Sequence, residues 1–261
     1  MTLATATSAS LSLDQVTLCA VSSVNVSATV AAMKACMAQV RFARCILLTD
    51  CTTLPDEPGI DVMHIAPLGS SAAYSEFVLL SLADFIATSH CLLVQWDGHV
   101  LDAAKWRQEF LDYDYIGASW PQFRDGHDVG NGGFSLRSKR LMNLCRDRAM
   151  EVSHPEDVAI CRRNRTWLEA RGMRFAPREL ADRFSAERAS DPAATFGYHG
   201  VWHMPRLLGH DAFWDLYCSL DDRGTFRPDL YALVRTVARG PEGLARASRM
   251  VFDCVLDRLR K

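Results

Sequence analysis

The first hundred residues alternate between short apolar runs and segments whose apolar residues recur every three or four positions. Val16 to Val21 is the first run; it predicts a buried strand ending at Ser22-Ser23-Val24-Asn25. Val26, Val30, Met33, Met37 and Val40 then step by four and three, which places them on one face of a helix. Cys45 to Leu48 predicts a second strand ending at Thr49-Asp50, Pro55 to Gly59 a turn, and Asp61 to Ile65 a third strand. Tyr74, Phe77, Val78, Leu82 and Phe85 mark a second amphipathic helix. It leads into Cys91-Leu92-Leu93-Val94, an apolar strand that runs into Gln95-Trp96-Asp97-Gly98. Strands alternating with helices predict an α/β fold with a mostly parallel central sheet flanked by helices and right-handed crossovers.

Further on, Trp106 to Phe110 predicts a short helix and Tyr115 to Ala118 a strand, followed by a polar loop from Pro121 to Asp128. Beyond Gly130-Asn131-Gly132-Gly133, a strand is expected at Phe134 to Leu136, and Leu141, Leu144 and Cys145 face the core from a helix. His154-Pro155-Glu156-Asp157 has the grammar of a helix start, with proline in the first turn and acidic groups at the positive end of the dipole. That helix should run to Arg171 and stop at Gly172. Met173 to Ala176 reads as an edge strand, and Leu244, Ala247, Val251, Val255 and Leu259 as the buried stripe of a last helix. The expected organisation is a disordered tail over residues 1–13, one domain over 14–210 and a helical extension over 211–261.

Composition narrows the partners. About half of the 261 residues are hydrophobic, enough for a substantial core, and the formal charge of -2 is well mixed along the chain. Without a basic stripe or polybasic patch, nucleic acid is not an expected partner. No uncharged apolar stretch reaches the ~18 residues that span a bilayer, and the first dozen residues lack the cationic start and apolar run of a secretory signal. A cytoplasmic location without a membrane span is therefore expected. None of the nine cysteines forms a Cys-x-x-Cys pair, which predicts free thiols acting as small hydrophobes.

In a parallel sheet the carboxyl ends of the strands share one edge, where ligands bind. Ser22, Asn25, Asp50 and Asp97 all follow such ends and are candidates to converge on one ligand. Asp97 and the glycine run suggest a metal and diphosphate site, with backbone approaching closely where no Cβ intervenes. Two plainer readings stand beside this: Asp97-Gly98 between apolar residues is also a strong hairpin signal, and Gly130 to Gly133 also reads as an ordinary loop.

Gln95-Trp96-Asp97-Gly98, Asp112 to Ala118, Gly130 to Ser138, Glu156-Asp157 and Phe196-Gly197-Tyr198-His199-Gly200, in this order, resemble a bacterial and fungal domain family of unknown function. That family is similar to GT-A glycosyltransferases, and the resemblance covers residues 14–205. It implies a GT-A-like domain with a Rossmann-like nucleotide-binding half and an acceptor half. The implied activity is metal-dependent transfer of a sugar from a nucleotide-sugar donor to an acceptor hydroxyl, with inversion. Asp97 matches the key metal carboxylate of the Asp-x-Asp motif, and Gln95 replaces its first Asp. An amide supplies no second anionic ligand, so Gln95 is left to serve the ribose or the fold. His199 matches the histidine that completes the metal site. Hard oxygen ligands with one imidazole suit Mn²⁺ or Mg²⁺.

By the same resemblance Asp157 is the base that takes the acceptor's proton, and Glu156 binds acceptor or orients the loop. Gly132 and Gly133 line the donor sugar, Ser22, Asn25 and Asp50 border the nucleotide, and Trp96, Trp120 and Trp202 are candidates for stacking. Local alternatives remain open. Asp157 also fits as a helix-start stabiliser, and His199 as a buried histidine or as half of a His199/His203 pair. Two other functions share such a fold: a non-catalytic nucleotide-sugar-binding module and a nucleotidyltransferase.

Overall fold

In the computed structural model, which describes residues 11–259, the first strand is longer than its apolar run. β1 spans Leu11–Val21, so three residues of the expected tail belong to the sheet; the rest of that tail lies outside the described residues. α1 (Val26–Gln39) buries Val26, Val30, Met33 and Cys36 and passes at Val40 straight into β2 (Val40–Thr49). β3 (Asp61–His64), α2 (Ser71–Leu80), capped by Ser70 Oγ on the Ala73 N–H, and β4 (His90–Val94) complete the alternating part.

After β4 the strands shorten: β5 (Gly98–Val100), β6 (Tyr115–Ile116), β7 (Ala118–Ser119), β8 (Val129–Gly130) and β9 (Phe134–Ser138). The central sheet has six strands in the order β3-β2-β1-β4-β9-β6. β3, β2, β1 and β4 run parallel, and β9 is antiparallel to both β4 and β6. The α/β class and the mostly parallel sheet expected from the sequence are thus observed. β4 is buried on both sides. Leu92 and Val94 join the core beneath α1, while Cys91 and Leu93 join the core beneath α2.

The Asp97-Gly98 hairpin does not form: β5 turns away from β4 and pairs antiparallel with β11 (Gly197–His199), which lies beside β10 (Ser185–Ala186). The continuous helix expected from 155 to 171 is broken into α4 (Glu156–Val158), a π turn at Ala159–Arg163 and α5 (Arg165–Glu169). The cause is Asn164, whose amide donates to Glu151 O and Ala159 O while its oxygen accepts from Glu151 N. Met173 to Ala176 contributes only a bridge between Phe175 and Tyr115.

The remaining helices are α3 (Lys139–Leu144), α6 (Arg178–Phe184), α7 (Met204–Leu208), α8 (His210–Ser219), α9 (Leu230–Val237) and α10 (Gly243–Leu259). Phe213, Tyr217, Leu233, Val237 and Met250 share a core with Tyr198, Val201 and Met204, so the C-terminal helices pack directly on β11 and its sequel. All nine cysteines are free. No helix among the described residues is long and apolar enough to cross a membrane.

Candidate functional site

The strand order reverses between β1 and β4, and at such a point an open α/β sheet leaves a crevice beyond its carboxyl ends. Asp97 enters this crevice because the chain turns just past β4, with Gly98 N donating to Gln95 O at 3.1 Å. The antiparallel neighbour brings the glycine run alongside. Val94 is opposite Phe134, and Gln95 N donates to Gly133 O at 2.9 Å. β5 then fixes the other wall, since Gly98 is opposite His199 and Gly200 N donates to Asp97 O at 2.9 Å. Residues a hundred positions apart meet through two strand pairings.

Asp97 is almost fully buried, and its Oδ1 lies 3.2 Å from His199 Nε2 without the alignment of a hydrogen bond. On the other side of the ring, Glu187 Oε1 lies 3.7 Å from Nδ1. Burial alone would lower the His199 pKa, but the Asp97 charge, assisted by Glu187, pushes it up to about 10. The ring rests on Gly133, where any Cβ would enter the imidazole. Among the described residues Asp97 Oδ1, Asn131 Nδ2, Glu187 Oε2 and both His199 nitrogens are buried without a hydrogen-bond partner. Buried polar atoms in native proteins are normally satisfied; here the imidazole and the two carboxylates face one another as ion pairs at 3.2 and 3.7 Å.

Asp157 joins the same wall. Its Oδ2 accepts from Gly132 N at 3.1 Å and its Oδ1 from Val158 N at 2.8 Å. Burial first, and then the Glu156 charge, push its pKa up to about 6. Glu156 faces the opposite way, into the protein, where Arg137 Nη2 donates to Oε1 at 3.0 Å and Ser75 Oγ to Oε2 at 3.5 Å. Both partners of this ion pair are buried, and the guanidinium also lies 5.3 Å from the centre of the Tyr115 ring. Glu156 therefore anchors the loop that carries Asp157. A Cβ at Gly132 would collide with Glu156 Oε1, so the glycine run is fitted to both neighbouring loops.

The other sequence candidates are dispersed around the crevice. Gln95 Nε2 donates to Tyr74 OH at 3.1 Å. Ser22 Oγ donates to Val24 O and accepts from Thr29 Oγ1. Asn25, in a left-handed conformation with φ of 54°, donates to Asp222 O and accepts from the N–H groups of Asp221 and Asp222. Its amide thus tethers the segment between α8 and α9. Asp50 follows β2, one strand further out. Trp120 is buried over Gly130, Trp96 packs 5.7 Å from Phe226, and Trp202 is covered by Arg188 at 3.4 Å. His199 lies on a strand and His203 on a 3-10 turn, where its Nε2 meets Glu187 O at 2.8 Å, so they form no helical pair.

Glu187, Arg137 and Asn131 were not among the sequence candidates. Arg137 and Asn131 stand within the glycine segment, but only the fold shows what they touch. Glu187 carries no local signal, since its partner is brought to it by the pairing of β10 with β11. Among the described residues no group of three or more His, Cys, Asp or Glu side chains is arranged to hold a metal ion.

A mostly parallel α/β domain with a polar crevice at its strand reversal defines the class. Residues 60–199, more than half of the chain, match the family described as "Protein of unknown function (DUF5672)", and the chain belongs to that family. The matched region includes Asp97, the glycine run, Asp157, Glu187 and His199. No curated protein matches the sequence.

Proposed function

We propose that this chain is a GT-A-like glycosyltransferase that moves a sugar from a nucleotide-sugar donor to an acceptor hydroxyl, with Asp157 as base. The observation that carries the reading is the convergence of Asp97, His199, the Gly132-Gly133 backbone and Asp157 on one crevice at the strand reversal. Asp97 and His199 are the side chains that would hold a divalent cation from the protein side; Asp97 Oδ1 and His199 Nε2 face each other at 3.2 Å, so a cation would take the place of the imidazole proton between them. A cation held there would supply Lewis-acid neutralisation of the diphosphate leaving group. Gly132 and Gly133 let the donor lie against backbone. Asp157, half-buried and held by Gly132 N, accepts the acceptor's proton as its oxygen attacks the anomeric carbon. A single displacement assisted by one base inverts that carbon.

Gln95 favours a second reading, a binding module without turnover, because its amide is engaged by Tyr74 and offers no second carboxylate. A panel of nucleotide sugars with and without Mn²⁺, followed by thermal shift, tests both. Binding stabilises the folded protein by about 2.7 kcal/mol at a hundred times the dissociation constant. A shift that requires Mn²⁺ is expected for at least one donor. A panel without any shift removes both readings, and a shift without donor consumption, with acceptor sugars supplied, favours the module.

A further inference from the structure

We propose that the outward face of α10 is an interface with a second copy of this chain, the two helices packing antiparallel across a two-fold axis. The apolar spacing marks Leu244, Val251 and Val255 for burial together with Ala247. In the structure α10 is turned the other way. Ala247 and Met250 are buried, Met250 in the core shared with Leu233 and Val237, while Leu244 is 80% exposed, Phe252 58%, Val255 50% and Val251 44%. The side chain of Leu259 lies outside the described residues. At 3.6 residues per turn, Leu244, Val251 and Val255 fall within about 40° of one another around the helix, with Phe252 about 60° further round. Four of the seven large apolar side chains exposed among the described residues thus form one stripe on one helix. Scattered apolar residues are ordinary on a surface, but a contiguous patch marks a place of interaction.

Charge indicates the occupant. Arg246 is paired with Asp211 at 2.8 Å, Arg249 with Asp253 at 2.9 Å and Asp257 with Arg227 at 3.9 Å. A helix that lies on a membrane carries a cationic face beside its apolar one. The charges whose contacts are described on α10 are instead neutralised within the chain, so an identical face meets no like-charge repulsion. Residues 1–10 carry only Met1 and Leu3 as large apolar side chains, too few to cover a stripe of about three turns. Leu244, Ser248, Val251 and Val255 follow steps of four, three and four, a coiled-coil seam that reads the same in both directions. Two copies laid antiparallel therefore bring Leu244 against Val255 and Ser248 against Val251, each contact occurring twice, with the helix dipoles favourably opposed. The small side chain of Ser248 lets the backbones approach near the axis. One helix of 17 residues offers less contact than an obligate dimer needs, so the association is reversible, in the micromolar range.

Sedimentation velocity on the full chain across the micromolar range tests this. The wild type should pass from monomer to dimer as concentration rises. Val251→Glu should weaken the dimer by at least about 10-fold, because two-fold symmetry introduces the charge twice. Adding Ser248→Lys to that variant should restore the dimer, since the antiparallel register sets the opposite charges face to face. A parallel pair would oppose like charges and would not recover. Both positions are exposed in the single chain, so the thermal transition of the monomer should be unchanged. Should Val251→Glu not fold, Phe252→Gln weakens the same face and is expected to lower the dimer fraction in the same direction. A wild type that stays monomeric throughout overturns the proposal, as does a dimer that persists in Val251→Glu and Phe252→Gln, or a double variant that does not recover. Flotation of the wild type with phosphatidylserine-containing vesicles, abolished by Val251→Glu, also overturns it and assigns the face to a membrane.

Discussion

Asp157 is held by opposing influences. Burial and the adjacent Glu156 disfavour its charge, while the N–H groups of Gly132 and Val158 favour it, and the balance moves the pKa from 3.8 to about 6. Because the folded protein holds this proton more tightly than the unfolded chain, its stabilising contribution is complete below about pH 4 and is lost as pH rises through 6. A base must be ionised, so turnover should rise with pH across the same interval. Asp157→Asn is expected to reduce turnover by ~10² to 10⁴ while sparing donor affinity, since the proton is taken only in the transition state. The substitution also loses one N–H contact at every pH. Its stability relative to wild type should nevertheless improve between pH 4 and 6, which urea titrations at several pH values would reveal. Turnover that persists undiminished returns Asp157 to the ordinary role of a helix-start residue. Asp97 belongs to the ground state instead: Asp97→Asn keeps the shape and removes the anionic charge, so calorimetry should show weaker donor binding in Mn²⁺ and no change without it. Equal affinity under both conditions would take Asp97 out of the cation site.

Between elements, the site depends on how two loops are fastened to β9. Arg137, on β9, holds Glu156 in a buried pair, and the same guanidinium approaches Gly132 O at 3.5 Å. Removing one partner of such a pair strands a buried charge and typically costs about 3–5 kcal/mol. Arg137→Met should therefore destabilise the fold by that order in chemical denaturation, with Asp157 displaced as a consequence. Gly133→Ala acts more locally. Its methyl group occupies the place of the His199 ring, so Mn²⁺-dependent binding should fall as far as in His199→Ala, with the sheet intact by circular dichroism. The same elements show what the chain reveals by itself. β1, β2 and β4 were legible as apolar runs because both faces of a central strand are buried, and Asp97 was legible because it interrupts the last of them. The pairing of β5 with β11 was not, because an Asp-Gly turn carries the same local signal whether the next strand folds back or leaves. Nor was the break at Asn164, since apolar spacing does not register a side chain that replaces helical hydrogen bonds. Glu187 stayed hidden for a related reason: a single carboxylate gains meaning only from the strand that lies beside it.

At the scale of the whole molecule, the C-terminal helical extension packs against the strands that carry the candidate site. Trp96 and Tyr198, the residues immediately before Asp97 and His199, pack into the core built by α8, α9 and α10. Trp96 lies 5.7 Å from Phe226, and Phe226 in turn meets Tyr217 at 5.2 Å. On the far side of the crevice, Asn25 holds the segment at Asp221-Asp222 through three hydrogen bonds. The C-terminal helices thus set the backbone position of both residues proposed to meet the cation, although no C-terminal side chain has been assigned to it. Ending the chain at residue 210 would strip apolar cover from Tyr198, Val201 and Met204 while leaving the parallel strands β1 to β4 and their helices in place. Such a truncated protein is expected to keep much of its far-ultraviolet circular dichroism but to lose Mn²⁺-dependent nucleotide binding and its sharp thermal transition. The full chain should unfold in a single transition, seen identically by circular dichroism and by tryptophan fluorescence. Two separated transitions, or a truncated protein that binds nucleotide as the full chain does, would make the C-terminal helices an appendage and leave the sheet alone to position Asp97 and His199.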